Sequence, residues 1–420
     1  MKYPQGKNMV FENKNSHWID AYTSKFEESF KSINLLDKKK EYWRFASPSI
    51  WHDKLPIKKF QETRSSQSLK FDVTKYSFLR FNDGILDIET LKNFINENKN
   101  IEICSFKDIF LKKDHWSSLK FSKAQLKAEK SYERPLALFN GFNARDGVFI
   151  KFKKGVKKNL HIIYEGKNEK NTCIRNLFDL EENSEIKVFE HFYGNSKYNI
   201  VSELFAADNS KLEHYKIINQ DISNSVIYHF FGNCKKNSKI KTVNFSFSDN
   251  PVRNETNLYL EGTNCDTTVA SMGFGKKETS ICDNTVFISH QEESCKSRQI
   301  IKNALKNGAK AIFQGKIFVD SKAQKTDGYQ MSNGLILSDD CEFLVKPELE
   351  IYADDVVCSH GSISGTLNED HLFYLRSRGI PLIEAQKKLI QAFYSEILDE
   401  VSEDNIVYYI QNQISEMITL

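Results

Sequence analysis

The 420-residue chain is 40% hydrophobic and 27% charged, with a net charge of +3 and a mean hydropathy of −0.51, as expected of a globular protein with a large core. No run approaches the ~18 apolar residues of a membrane span, and the opening MKYPQGKNMVFENKN has no apolar stretch of a secretory signal, so a cytoplasmic protein is expected. Basic residues are interleaved with acids, as where Lys38–Lys40 lies between Asp37 and Glu41, which argues against the concentrated basic face of a nucleic-acid binder.

In chain order, His17 to Leu36 places Trp18, Ile19, Tyr22, Phe26, Phe30 and Ile33 close to the helical period. Pro48 and Pro56 break that pattern between Ala46 and Lys58. Two strand-like pieces follow near Phe78–Phe81 and Ile101–Phe106, then a helical stretch from Ser122 to Phe139 interrupted at Pro135. Residues 1–145 are thus read as a mostly helical N-terminal region.

From about Gly147 the helical period disappears and short alternating strands take over, among them His161–Tyr164, Glu185–Phe189, Leu212–Ile217 and Lys239–Phe247. A turn-forming Asn and a small residue precede strands at Asn183-Ser184, Asn209-Ser210, Asn237-Ser238 and Asn264-Cys265, at spacings of 26, 28 and 27 residues. A turn residue recurring at that interval marks one coil of a β-solenoid per repeat, and Asn tolerates the left-handed backbone that a tight corner needs. Residues 146–365 are read as this core. After Thr366 the helical period returns: Leu372 and Leu375 precede an Arg378-Gly379 stop. Ile383, Ile390, Phe393, Ile397 and Val401 then share one face, and a last helix spans Ile406 to Leu420. Residues 366–420 form a C-terminal helical region, and the fold class is mainly β, a solenoid between helical ends.

Common catalytic signatures are missing. There is no GxxxxGK[ST] phosphate loop, which Gly273-Phe-Gly275-Lys276-Lys277 resembles only in composition, and no HExxH, GxSxG or kinase set. No bound nucleotide and no enzymatic turnover are expected, so any ATP hydrolysis belongs to another subunit. The eight cysteines show no CxxC or zinc-ribbon spacing and are read as reduced thiols, most of them small buried hydrophobes. The sharpest constellation is Cys358-Ser359-His360-Gly361. On an extended strand, Cys358 and His360 point to one face, where thiolate and imidazole can hold a soft or borderline metal. Two ligands are too few for a closed site. A buried thiol beside a hydrogen-bonded imidazole fits the same residues, and the sequence leaves both readings open. Asp354-Asp355 fits a cation site or, more simply, a polar turn; His290, Cys295 and Arg298 fit polar positions of a solenoid face.

Residues 285–380 resemble a known family. The resemblance rests on Thr285 to His290, Ser297-Arg298, Lys302, Phe313 to Val319, Ala323 to Thr326, Gln330, Leu335 to Ser338, Lys346 to Ile351, Asp354 to Gly361 and Phe373 to Gly379. Together these resemble the SufB/SufD family of iron–sulfur cluster assembly proteins, with Cys-Ser-His-Gly and the modest length pointing to the SufD side. Weaker likeness extends through Glu41-Tyr-Trp-Arg44 and Phe142 to Val156. The resemblance implies a right-handed parallel β-helix between helical ends and a scaffold role in ATP-dependent cluster assembly. It implies pairing with a SufB-type subunit and a SufC ABC-type ATPase docked on the helical tail; self-pairing in isolation is compatible with it, and composition and charge already argue against a membrane or nucleic-acid partner. It also implies a transient iron–sulfur cluster or iron at the partner interface, with His360 as an iron ligand and Cys358 as a sulfur-handling or metal-ligating thiol. The rival readings are a structural adaptor without metal ligands, a SufB-type subunit, and a β-helix carbohydrate lyase or hydrolase.

Overall fold

The computed structural model describes residues 18–33, 41–52, 76–109, 112, 114–128, 133–167, 171–219 and 224–419. From Val148 onward the chain repeats one local event, in which a strand of about ten residues ends at a corner and the next strand begins on the opposite sheet. At one corner the backbone enters the left-handed region in seven successive coils, at Gly155 (φ 73°), Asn183 (60°), Asn209 (58°), Asn237 (55°), Asn264 (60°), Ser294 (61°) and Lys325 (58°). The recurring Asn of the sequence therefore marks the corners, and the column continues through Ser294 and Lys325. Each corner N–H donates to a carbonyl of the next coil: Asn209 to Lys236 at 2.8 Å, Asn237 to Thr263 at 2.9 Å and Asn264 to Glu293 at 3.2 Å. The following residues, Ser184, Ser210, Ser238, Cys265 and Cys295, are fully buried inside the turn.

The strands stack into two sheets, of ten and nine strands among the described residues. Along each solenoid sheet every strand is parallel and in register with the strand one coil earlier, as where Val243 pairs with Ala270 and Phe230 with Thr256. Ile186, Val188, Leu212 and Ile240 from one sheet meet Ile200, Leu204, Val252 and Leu258 from the other in a continuous apolar core. This is the expected parallel β-solenoid with helices at both termini, of about eight turns.

The two strand-like pieces of the N-terminal region are strands Ser77–Asn82 and Ile101–Ser105. The first adds in parallel to Lys157–Gly166 and the second antiparallel to Val148–Phe152. With the Ile85–Leu86 strand, antiparallel to the first, they finish both sheets and cap one end. The first helix is Trp18–Lys31. The interrupted stretch is Lys123–Ala128 followed by Pro135–Asn143, with proline at the start of the second helix, where its missing N–H does no harm. The readings on residues 1–17, 34–40 and 53–75, including the Lys38–Lys40 run and the Pro56 break, lie outside the described residues.

These N-terminal segments cover the outer face of the nine-stranded sheet through buried charges. Fully buried Arg175 donates to Ser122 Oγ at 3.0 Å, and the Glu203 carboxylate accepts the N–H groups of Ser122, Ala124 and Gln125 at 2.7–3.1 Å. A coil or two further on, Glu255 lies 2.8 Å from Arg134 Nε, and Arg253 donates to Asp283 at 2.5 Å while its guanidinium sits 4.1 Å from the Trp43 ring centroid. The outer face of the ten-stranded sheet is covered instead by helices Leu382–Leu398 and Asp404–Thr419, whose Ile390, Ile397, Ile406, Ile410 and Ile414 pack on Val243, Met272 and Ile300. Tyr394 donates its hydroxyl hydrogen to the Gly273 carbonyl (2.6 Å) and accepts the Ala304 N–H (3.0 Å). Ile383, expected on this face, is 53% exposed, because the buried face begins only at Ala385 and the first turn of the helix stands clear of the sheet.

Candidate functional site

Among the described residues the solenoid is capped at its start and bare at its finish. Strands Glu342–Ile351 and Val356–Gly365 end the two sheets, each with a single neighbour among the described residues. Cys358 and His360 lie on the second of these, paired with Gly328 and Gln330 of the preceding coil. In that coil Gly328, Gln330 and Ser332 are buried while Asp327, Tyr329 and Met331 are partly exposed, so Cys358 and His360 share the inward face of the terminal rung. His360 is exposed, with no further coil over it among the described residues.

Cys358 is half-buried and packs at the edge of a small cluster of Ile317, Val319, Ala323 and Ala353. Glycine at 328 makes room for it, since a Cβ there would lie 3.2 Å from the Cys358 sulfur. Burial pushes the Cys358 thiol up, with the Gly328 backbone opposing the rise. The His360 side chain has no hydrogen-bond partner among the described residues. The pair is therefore not the sealed thiol and satisfied imidazole of the alternative reading. Nor is it a complete metal site, since no group of three or more His, Cys, Asp or Glu side chains that could hold an ion occurs among the described residues.

The other singled-out residues fall elsewhere. Asp354-Asp355 is an exposed corner, where the Asp355 carbonyl accepts from Lys325 N–H and the Asp355 N–H donates to the Gln324 side chain. His290 is buried in the lumen, 2.8 Å from Ser297 Oγ, with burial pulling its imidazole down to about 4. Cys295 lies inside a corner, and Arg298 forms a surface ion pair with Asp327 at 2.7 Å. Of the seven other cysteines, six are buried and Cys341 is half-buried. The Gly273–Lys277 segment closes a strand and, with Lys306, Asn307 and Met417, borders a cavity of about 300 Å³ away from the terminal rung.

Residues 162–393, more than half of the chain, match the family described as "SUF system FeS cluster assembly, SufBD core domain". The chain belongs to the SufBD family. Among curated relatives, it is 33% identical over 239 residues to the iron–sulfur cluster assembly protein SufD of Escherichia coli (55% of this chain, 56% of that protein). It is 27% identical over 281 residues to SufD of Bacillus subtilis (64% and 62%) and 28% identical over 246 residues to protein ABCI7, chloroplastic, of Arabidopsis thaliana (57% and 51%). The chain thus spans between half and two thirds of the length of these relatives. Within the SufBD match lie the bare terminal rung, the Cys358–His360 pair and the helix Glu369–Ser377.

Sequence reasoning missed one feature of this surface. Of the fourteen large hydrophobic side chains exposed among the described residues, eight fall between Ile351 and Ile383, including Val357 (71%), Ile363 (60%) and Phe373 (74%). Alternation alone shows that a strand has an apolar side, but not that its neighbour is absent.

Proposed function

We propose that this chain is a scaffold subunit for iron–sulfur cluster assembly, whose bare solenoid end docks a SufB-type subunit and whose Cys358 and His360 serve the iron or nascent cluster as ligands at that junction. The observation that supports this most directly is a thiol and an imidazole side by side on an uncovered strand of a SufBD-family chain. Two ligands require the rest from a partner, and a partner docked on the open end brings its own side chains to them. Iron and sulfide are cargo here, and no turnover is assigned to the chain itself.

The helix Glu369–Ser377 has no buried residue and presents Phe373 and Tyr374 to solvent. In this reading it and the start of the following helix form the docking site of the SufC ATPase, which supplies ATP hydrolysis from outside the chain. No helix among the described residues is long and apolar enough to cross a membrane, in keeping with assembly in the cytoplasm.

A second reading, an adaptor without metal ligands, is favoured by the upward push on the Cys358 thiol, because the thiolate is the form that binds metal. Both readings are tested by copurifying the chain with a SufB-type subunit and SufC and measuring iron and cluster content. Under the first, His360→Ala lowers cluster content roughly tenfold, the scale of losing one ligand or its support, and Cys358→Ser lowers it less. Unchanged content in the double variant, with the three proteins still copurifying, leaves the adaptor.

A further inference from the structure

One position of the solenoid corner changes its chemistry in two consecutive coils. Strand starts Glu185, Lys211, Lys239, Asp266, Lys296 and Asp327 are paired in register, so the residues just before them, Ser184, Ser210, Ser238, Cys265, Cys295 and Thr326, form one column. At three of these positions a hydroxyl closes its own turn: Ser184, Ser210 and Thr326 donate to the carbonyls of Glu181, Ala207 and Ala323 at 2.7, 2.6 and 2.8 Å. The two cysteines do otherwise. The Cys265 sulfur lies 3.1 Å from the Gly262 carbonyl oxygen, and the Cys295 sulfur reaches back into the preceding coil, 3.2 Å from the same oxygen. Its distance to the carbonyl oxygen of Glu293, in its own turn, is 3.7 Å. The two thiols also hydrogen-bond to each other.

A disulfide needs Cα atoms about 4.4–6.8 Å apart, and in-register residues on neighbouring strands stand about 4.8 Å apart. The Lys296 N–H donates to the Cys265 carbonyl at 2.8 Å, so the two coils are held at strand spacing at this point. Bringing the sulfurs to bonding distance asks for side-chain rotation rather than movement of the coils. The sulfurs are also unequal. The hydrogen bond from Cys295 holds the Cys265 thiol below the ordinary thiol range, and the same bond, with burial, pushes the Cys295 thiol up. Cys234, the nearest other thiol, is pushed well above that range by burial first and by Cys265 second, which makes it the poorer partner.

We infer that Cys265 and Cys295 form an oxidation site, which closes a disulfide between consecutive coils when a peroxide reaches the corner. The Cys265 thiolate attacks one peroxide oxygen; the O–O bond breaks and the departing hydroxide takes a proton to leave as water. The Cys295 sulfur then attacks the sulfenic sulfur, the S–O bond breaks, and the Cys295 proton leaves with that oxygen as a second water. Two thiols are oxidised and one peroxide is reduced. An added dithiol reverses the step by exchange. Peroxide is little larger than water, and the cover over the sulfurs is one corner, with Gly262 and Thr263 half-buried and Asn264 and Glu293 exposed. The site involves neither Cys358 nor His360 and does not rest on the proposed function.

The test exposes the folded full chain to hydrogen peroxide, alkylates the remaining thiols after denaturation, and maps unreduced peptides by mass spectrometry. A Cys265–Cys295 linkage is expected, with loss of two of the eight thiols and their recovery on adding a dithiol. Cys295→Ser, which installs the hydroxyl found elsewhere in the column, should abolish the linkage and raise trapping of a Cys265 sulfenic acid by a 1,3-diketone roughly tenfold. Cys234→Ser should leave the linkage in place. Oxidation of the more exposed Cys341 and Cys358 with Cys265 and Cys295 still alkylatable overturns the inference, as does a bridge between Cys234 and Cys265.

Discussion

At the scale of single residues, the corners and the buried charges do different work. Asn237 holds φ at 55° and its side-chain amide donates to Asn209 Oδ1 at 2.8 Å, so it both accepts the left-handed backbone and ties two coils together. A residue with Cβ and no local hydrogen bond is strained there by about 1–2 kcal/mol. Asn237→Ala should therefore lower stability in urea by about 1 kcal/mol, whereas Asn237→Gly, free of the Cβ clash, should lose less. Equal losses would mean that the conformation is not what selects Asn. Glu255 is fully buried, and burial raises its carboxyl; His229, Arg134 and Arg253 together outweigh that and hold it well below the usual carboxylate range. A depressed folded pKa contributes stability that is present above the unfolded value and lost as pH falls. The chain should thus weaken below about pH 4.3. Glu255→Gln, which leaves two buried guanidiniums under-compensated, should destabilise by about 3–5 kcal/mol at pH 7 and flatten that acid limb. Unfolding in urea at pH 7 and pH 4 checks both.

At the scale of elements, the helices are held by what the sheets present outward. The Tyr394 hydroxyl is the one polar side chain of the tail that satisfies two sheet backbone groups described here, Gly273 C=O and Ala304 N–H. Tyr394→Phe keeps the ring and leaves both groups unmet, for a loss of about 1–3 kcal/mol. Hydrogen exchange should then accelerate in 382–419 and not in the coils near the capped end; uniform acceleration would show that tail and solenoid unfold as one unit. The solenoid was legible in the sequence because a left-handed corner selects Asn, and Asn183, Asn209, Asn237 and Asn264 all prove to be such corners. The column's continuation through Ser294 and Lys325 was not legible, because those residues carry no such signature. Nor was the covering of both outer faces. Arg175, Glu203, Arg253 and Glu255 carry no local mark of burial, because the partners that bury them lie far away in sequence. The shared face of Cys358 and His360 followed from a two-residue spacing, but the exposure of His360 depends on the absence of a further coil, which no local pattern encodes.

At the scale of the whole molecule, the two ends of the solenoid are unequal. One is covered by antiparallel strands and by the helix Ile88–Glu97, whose Leu91 and Phe94 pack into the solenoid core. The other leaves two strands whose outer edges have no partner among the described residues, beside exposed Val357, Ile363 and Tyr352. An exposed apolar edge strand is a template for another strand, and natural proteins blunt such edges with charge when they are not used. Val356–Gly365 carries no Lys, Arg, Asp or Glu along its length, which is the opposite of blunting. The end should therefore be occupied in the working assembly, and in isolation the chain should associate through it with a second copy. Replacing Val357 and Ile363 together by Lys places two charges on that edge, at surface positions where the folded monomer should lose no more than about 0.5 kcal/mol each. Sedimentation should show concentration-dependent association of the unsubstituted chain and a shift to monomer in the variant, with copurification of a SufB-type subunit reduced in parallel. A variant that melts normally yet still captures that subunit at full yield would move the docking surface away from the open end, to a face of the molecule that the terminal rung does not share.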